Sequence, residues 1–102
     1  MAVAAPHYGI VESQVFSNIS ATPAAFSLLG GSYAVTIHAT WGGGSATLQR
    51  LAADGATYIT VMTAFSADGF ALSNLPSGTY QLLIATATAV YADITSVVSA
   101  AL

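Results

Sequence analysis

The stretch Ser32–Leu51, SYAVTIHATWGGGSATLQRL, decides the fold class. Tyr33, Val35, Ile37, Ala39 and Trp41 alternate with Ala34, Thr36, His38 and Thr40. An extended chain sends successive side chains to opposite sides, so this pattern predicts a strand with one buried face. Gly42, Gly43 and Gly44 follow, and glycine accepts the positive φ that a tight reversal demands. Ala46–Leu51 is then the expected return strand, and the segment reads as a hairpin.

The same alternation of strand and turn chemistry extends outward. Asp54-Gly55 predicts a reversal into a strand at Tyr58–Met62, and Asp68-Gly69 another into Phe70–Leu75. Pro76 and Gly78 in LPSGTY turn the chain into Thr79–Ala85, and Ala89–Val98 is the last strand. A first strand is expected near Val15–Ser20. No apolar stripe of helical period is sustained, so the expected fold is all-β, an antiparallel β-sandwich or jelly-roll-like domain. A helical turn is expected only near Thr22–Phe26, where Thr22 could cap and Pro23 occupy the first position. Residues 1–14, with Pro6, His7 and Glu12, read as an extended N-terminal arm ahead of a single domain at 15–102. LAADGATYIT and FSADGFALSN both set Ala-Asp-Gly before a β-rich segment; reuse of turn chemistry explains the echo without a repeat.

Composition narrows the function. Charged residues make up 5% of the chain and hydrophobic residues 55%, where an ordinary soluble domain has about 25% charged. No run approaches the ~20 apolar residues of a spanning helix; Leu82–Val90 is interrupted by Thr86 and Thr88. The excess apolar character therefore points to burial against other protein, either copies of the chain or a larger assembly. One cation and a net charge of −3 exclude a phosphate-neutralising nucleic-acid binder. The start MAVAAPHYGIVESQ lacks a basic n-region and is broken by Pro6, so it does not read as a secretory signal. Synthesis in the cytoplasm is expected.

The chemistry-bearing residues are few. His7 and His38 without any cysteine fall short of the three or four ligands of a zinc site. Asp54 and Asp68 stand before glycine, so they read as turn residues rather than calcium ligands. GxSxG and a phosphate-loop Lys are absent. The expectation is a non-enzymatic protein with no metal and no cofactor. Arg50 is the only basic residue besides the histidines; a planar guanidinium suits a carboxylate. Its partner is expected within the fold, at Asp93 or Asp54, or across a subunit contact. Trp41 at a strand end suits core or turn packing first, with an interface or a sugar-stacking site as the alternatives. On the last strand Tyr91 and Asp93 share a face opposite Val90, Ala92 and Ile94. The candidate interface residues are Tyr8, Ile10, Trp41, Arg50, Tyr91 and Asp93.

Two longer segments, FSLLGGSYAVTIHATWGGGSATLQRLAADGATYITV and LPSGTYQLLIATATAVYADI, carry a resemblance. With Gly30-Gly31 before Tyr33, the glycine turn and LPSGTY, they resemble small structural proteins encoded among the virion genes of tailed bacteriophages and related prophages, over roughly Phe26 to Thr95. The resemblance implies a capsid decoration or cement protein on the outer shell. It implies a homo-oligomer, commonly a trimer, bound to the major capsid protein, without nucleic-acid or membrane partners. A carbohydrate-binding or adhesive surface module is the alternative expectation.

Overall fold

The computed structural model describes residues 12–97. They form eight strands: β1 (Ser13–Ile19), β2 (Phe26–Leu28), β3 (Gly31–Thr40), β4 (Ser45–Leu51), β5 (Tyr58–Thr60), β6 (Gly69–Leu75), β7 (Gly78–Ala85) and β8 (Thr88–Ser96). Two four-stranded antiparallel sheets result: sheet A in the order β1-β8-β3-β6 and sheet B in the order β2-β7-β4-β5. Nested antiparallel pairing joins β1 to β8, β2 to β7, β3 to β6 and β4 to β5, and β3·β8 and β4·β7 complete the sheets. That is a jelly roll, one long hairpin folded over so that its halves lie in two facing sheets.

The alternation in β3 is borne out. Tyr33, Val35, Ile37 and Ala39 are buried and Thr36, His38 and Thr40 are exposed. Trp41, just past the strand, is half-buried. In β8 the buried set is Val90, Ala92 and Ile94, opposite Tyr91 and Asp93. The interior has two halves. One is built from small residues around Ile37, Leu82 and Val90, with Ala39, Ala46, Ala87 and Ala92. The other holds Leu28, Tyr33, Val35, Leu48, Leu75, Tyr80 and Ile94. Phe16 and Phe65 pack against both. Each fully buried large aliphatic side chain contributes about 1.5–3 kcal/mol.

Several turns behave differently from the sequence expectation. The glycine turn, with Gly42 at φ 54 and Gly43 at φ 83, closes on a bond from Gly44 N–H to the Trp41 carbonyl of 2.7 Å. It delivers the chain from sheet A to sheet B, so Ser32–Leu51 is a crossing between sheets and not a hairpin. The Asp68-Gly69 turn and LPSGTY also change sheets, and Asp54-Gly55 alone among these closes a hairpin, β4–β5. No helical turn forms at Thr22–Phe26; β2 begins at Phe26, and the Thr22 hydroxyl accepts the Ile84 N–H at 3.0 Å. Ser13 and Gln14 already pair with β8, opposite Thr95 and Ile94.

Two sheet crossings have one design. LLGGSY (Leu28–Tyr33) and LPSGTY (Leu75–Tyr80) share the pattern Leu-x-x-Gly-Ser/Thr-Tyr. Both leucines and both tyrosines are buried, the tyrosines completely. Each tyrosine hydroxyl reaches the carbonyl four residues back: Tyr33 that of Leu29, and Tyr80 that of Pro76 at 2.5 Å. The corners are also paired with each other, Leu28 opposite Gly78 and Leu75 opposite Gly31. A Cβ on Gly30 would stand 3.2 Å from the Ser77 amide nitrogen, so the two backbones approach closely. Tyr80→Phe removes the Pro76 bond while keeping the ring. A loss of about 1 kcal/mol is expected, seen as a fall in Tm of roughly 4–8 °C. Tyr91→Phe on the exposed face is the control and should move Tm little.

Candidate functional site

The outer face of sheet A is the least ordinary surface of the molecule. Across its strands run rows fixed by register. Val15, Asp93, Thr36 and Phe70 form one row; Ser13, Thr95, Ala34 and Leu72 form the next. Tyr91 pairs with His38 on one side of these rows. Of the eight large hydrophobic side chains exposed among the described residues, five lie on this face: Val15, Phe70, Leu72, Tyr91 and Val97. At half to two-thirds exposure they present several hundred Å² of apolar surface, the size at which patches on monomers become functional, ~300–600 Å². The outer face of sheet B differs. There Gln49 faces Gln81, whose Nε2 donates to the Gln49 Oε1 at 2.7 Å, and Leu83 is its exposed large apolar residue.

At one end of the apolar face sits a polar clasp. Asp68, in the bend before β6, bonds through Oδ2 to His38 Nδ1 at 2.6 Å. Its Oδ1 accepts the Trp41 indole N–H at 2.9 Å and the Ala39 N–H at 3.1 Å. These bonds, His38 first, then Trp41, then Ala39, hold the Asp68 carboxyl down at about 2. The His38 ring lies against Tyr91, centroids 6.3 Å apart and planes inclined by 26°. The clasp fastens the turn before β6 to β3. Asp54 does comparable work within its own turn: the Ala56 and Thr57 N–H groups and the Thr57 hydroxyl all bond to it and lower its pKa.

Of the sequence-nominated residues, Tyr8 and Ile10 lie outside the described residues. Trp41 and Tyr91 come together with His38 and Asp68, and Asp93 lies in the adjacent row, accepting the Thr95 hydroxyl at 3.1 Å. Trp41 packs its ring on the core and spends its N–H on Asp68. Arg50 is elsewhere. Its Nη2 donates to the Ser77 carbonyl at 2.8 Å, and no carboxylate of the described residues pairs with it, so the expected bond to Asp93 or Asp54 is not made. The reason is topological: Arg50 pairs with Tyr80 in sheet B, while Asp93 lies in sheet A and Asp54 is consumed by its own turn. Gly78 makes room for the guanidinium, since a Cβ there would stand 2.8 Å from Arg50 Nε. Arg50 thus braces a corner. Burial raises the Tyr80 pKa, and Arg50 partly opposes that. Tyr33 is raised by burial and then by Glu12, whose Oε1 accepts the Leu29 N–H at 2.7 Å and, also at 2.7 Å, shares the single Tyr33 hydroxyl proton with the Leu29 carbonyl.

Phe70, Leu72, Val15 and the Asp68 clasp were not singled out as interface residues from sequence. The available signal was the order small-in, large-out along β6, which is readable only once the buried face is known. No protein-family model, no curated protein and no solved structure matches the chain.

The clasp sets an acid dependence. The Asp68 carboxyl falls from its ordinary 3.8 to about 2 on folding, so the unfolded chain takes up the proton first as pH drops. The stabilisation is complete above the unfolded value and is lost as pH falls through the folded one. Thermal melts should show declining stability between about pH 4 and pH 2. Asp68→Asn should flatten that limb while lowering Tm at neutral pH, leaving the part that Asp54 contributes. An unchanged acid profile in Asp68→Asn contradicts the assignment.

Proposed function

We propose that the chain is a non-enzymatic virion structural protein, a capsid decoration or cement protein. It associates with copies of itself and with the major capsid protein at the virion surface after synthesis in the host cytoplasm. The observation that carries this reading is the exposed apolar face of sheet A in a chain with 5% charged residues. Such a chain has little net charge to keep copies apart. The resemblance to tailed-phage virion proteins supports it. The jelly roll supports it by fold analogy, since capsid domains use this architecture, as do lectins.

The mechanism is burial across joints. A stable interface takes about 800 Å² from each partner, more than the exposed apolar side chains of this face offer alone. One contact would be modest, and many copies on a repeating shell would add up through avidity.

A second reading, a carbohydrate-binding or adhesive module, is favoured by one arrangement: the Tyr91 and His38 rings side by side on an open sheet face with Phe70 nearby. Aromatic faces stack on apolar ring surfaces. Titration with a sugar panel, read by fluorescence of the single tryptophan beside the clasp, tests it. A saturable change supports the module, and silence across the panel counts against it.

For the cement reading, deletion of residues 1–11 is expected to lower occupancy on capsids with the far-ultraviolet circular dichroism unchanged. The cut stops before Glu12, because Glu12 bonds Tyr33 and Leu29. Charge placed on sheet A, as Phe70→Lys, should also abolish occupancy. Full occupancy of that variant would sink the assignment of the face.

A further inference from the structure

β6 wears its side chains inside out. Ala71 and Ser73 face the interior, while Phe70 and Leu72 stand 63% and 65% exposed. Slipping β6 by one residue along β3 would exchange the two sets. The corner forbids this: Leu75 is buried to 4% exposure and paired with Gly31, next to the tyrosine contacts that hold both corners. Two large apolar side chains are thereby kept outward.

β6 is also an edge strand, along with β1, β2 and β5. Edges expose unpaired backbone N–H and C=O groups, which proteins commonly blunt. Here β2 and β5 are three residues long. β1 is broken by a register shift between Phe16 and Ile19, with Asn18 at φ 53. β6 has seven residues, GFALSNL, in unbroken register with β3, with no proline and no charge. Two open clefts of about 400 and 420 Å³ meet at Leu72.

From this we propose that β6 pairs antiparallel with β6 of a second copy, about a two-fold axis at Ala71. The proposal rests on the self-association part of the reading above and not on the capsid. In this register Phe70 faces Leu72 of the partner subunit, and Asp68, one residue before the strand, faces Asn74 of the partner subunit. Read at every second residue, Asp68, Phe70, Leu72 and Asn74 form the series acceptor, apolar, apolar, donor. Reversed, that series is its own complement. Asn74 Oδ1 already receives the Ser32 hydroxyl at 2.5 Å, which leaves its amide N–H groups to give. Backbone bonds supply attraction, and cross-strand apolar pairs set register. A two-fold contact makes every pair twice. The association is two-fold, where the resemblance alone implies three-fold.

Sedimentation equilibrium of the full chain at micromolar concentration tests this. The wild type is expected to be a dimer. Leu72→Lys should raise the dissociation constant by roughly tenfold or more, with circular dichroism unchanged. Asn74→Asp, which sets a carboxylate against Asp68 of the partner subunit, should weaken the dimer too and covers the case in which Leu72→Lys fails to fold. Leu83→Lys, on the outer face of sheet B, should leave it intact. A trimer, or a dimer indifferent to Leu72→Lys and Asn74→Asp, overturns β6 pairing and leaves self-association standing. A monomer at every concentration overturns both, and a peptide strand from another protein then becomes the occupant of the edge.

Discussion

The interlock of two chain corners governs this structure. Each corner crosses from one sheet to the other at Leu-x-x-Gly-Ser/Thr-Tyr. Each buries its leucine and tyrosine and ties the hydroxyl to a carbonyl four residues back. Because Leu28 lies opposite Gly78 and Gly31 opposite Leu75, neither corner can shift without the other. A buried phenol left without its acceptor costs about 1–3 kcal/mol, so the arrangement resists local rearrangement at both ends of four strands. Glu12 reinforces one corner, and Arg50 reinforces the other.

That interlock decides the surface chemistry. Register in β6 is set from Leu75, so Phe70 and Leu72 point outward although an isolated sandwich would gain by burying them. The same register in β3 and β8 brings Tyr91 beside His38 and sets Asp93 opposite Thr36. Sheet A acquires an apolar exterior and sheet B a glutamine-bearing one. The apolar excess thus has a location. The large exposed side chains gather on sheet A, around Asp93 and beside the Asp68 clasp, as expected where water is to be displaced by protein.

Much of the candidate site was legible and some was not, for identifiable reasons. Tyr91 and Asp93 were placed on one face by alternation alone, and the structure agrees. For Trp41, alternation suggests core packing, and the ring does pack on the core; its N–H bond to Asp68, made across 27 positions of sequence, has no local signal. Arg50 was expected to meet a carboxylate, and meets a corner carbonyl instead. Pairing of a lone cation is a three-dimensional matter: Asp54 is near in sequence but is consumed by its own turn, and Asp93 lies in the other sheet. The shared corner pattern was visible in LLGGSY and LPSGTY, yet nothing local says that two such segments lie against each other.

By itself the sequence determined an all-β chain, the positions of seven of its strands, and which side chains share a face in β3 and β8. These follow from side-chain period and from glycine, proline and aspartate turn chemistry, which act over a few residues. The three-residue β2, the sheet to which each strand belongs, and the outward display of Phe70 and Leu72 were decided only by tertiary structure. A turn residue specifies that the chain reverses, with an energy that is local. Which partner the next strand finds depends on how the whole interior packs, and that is a sum over residues far apart in the chain.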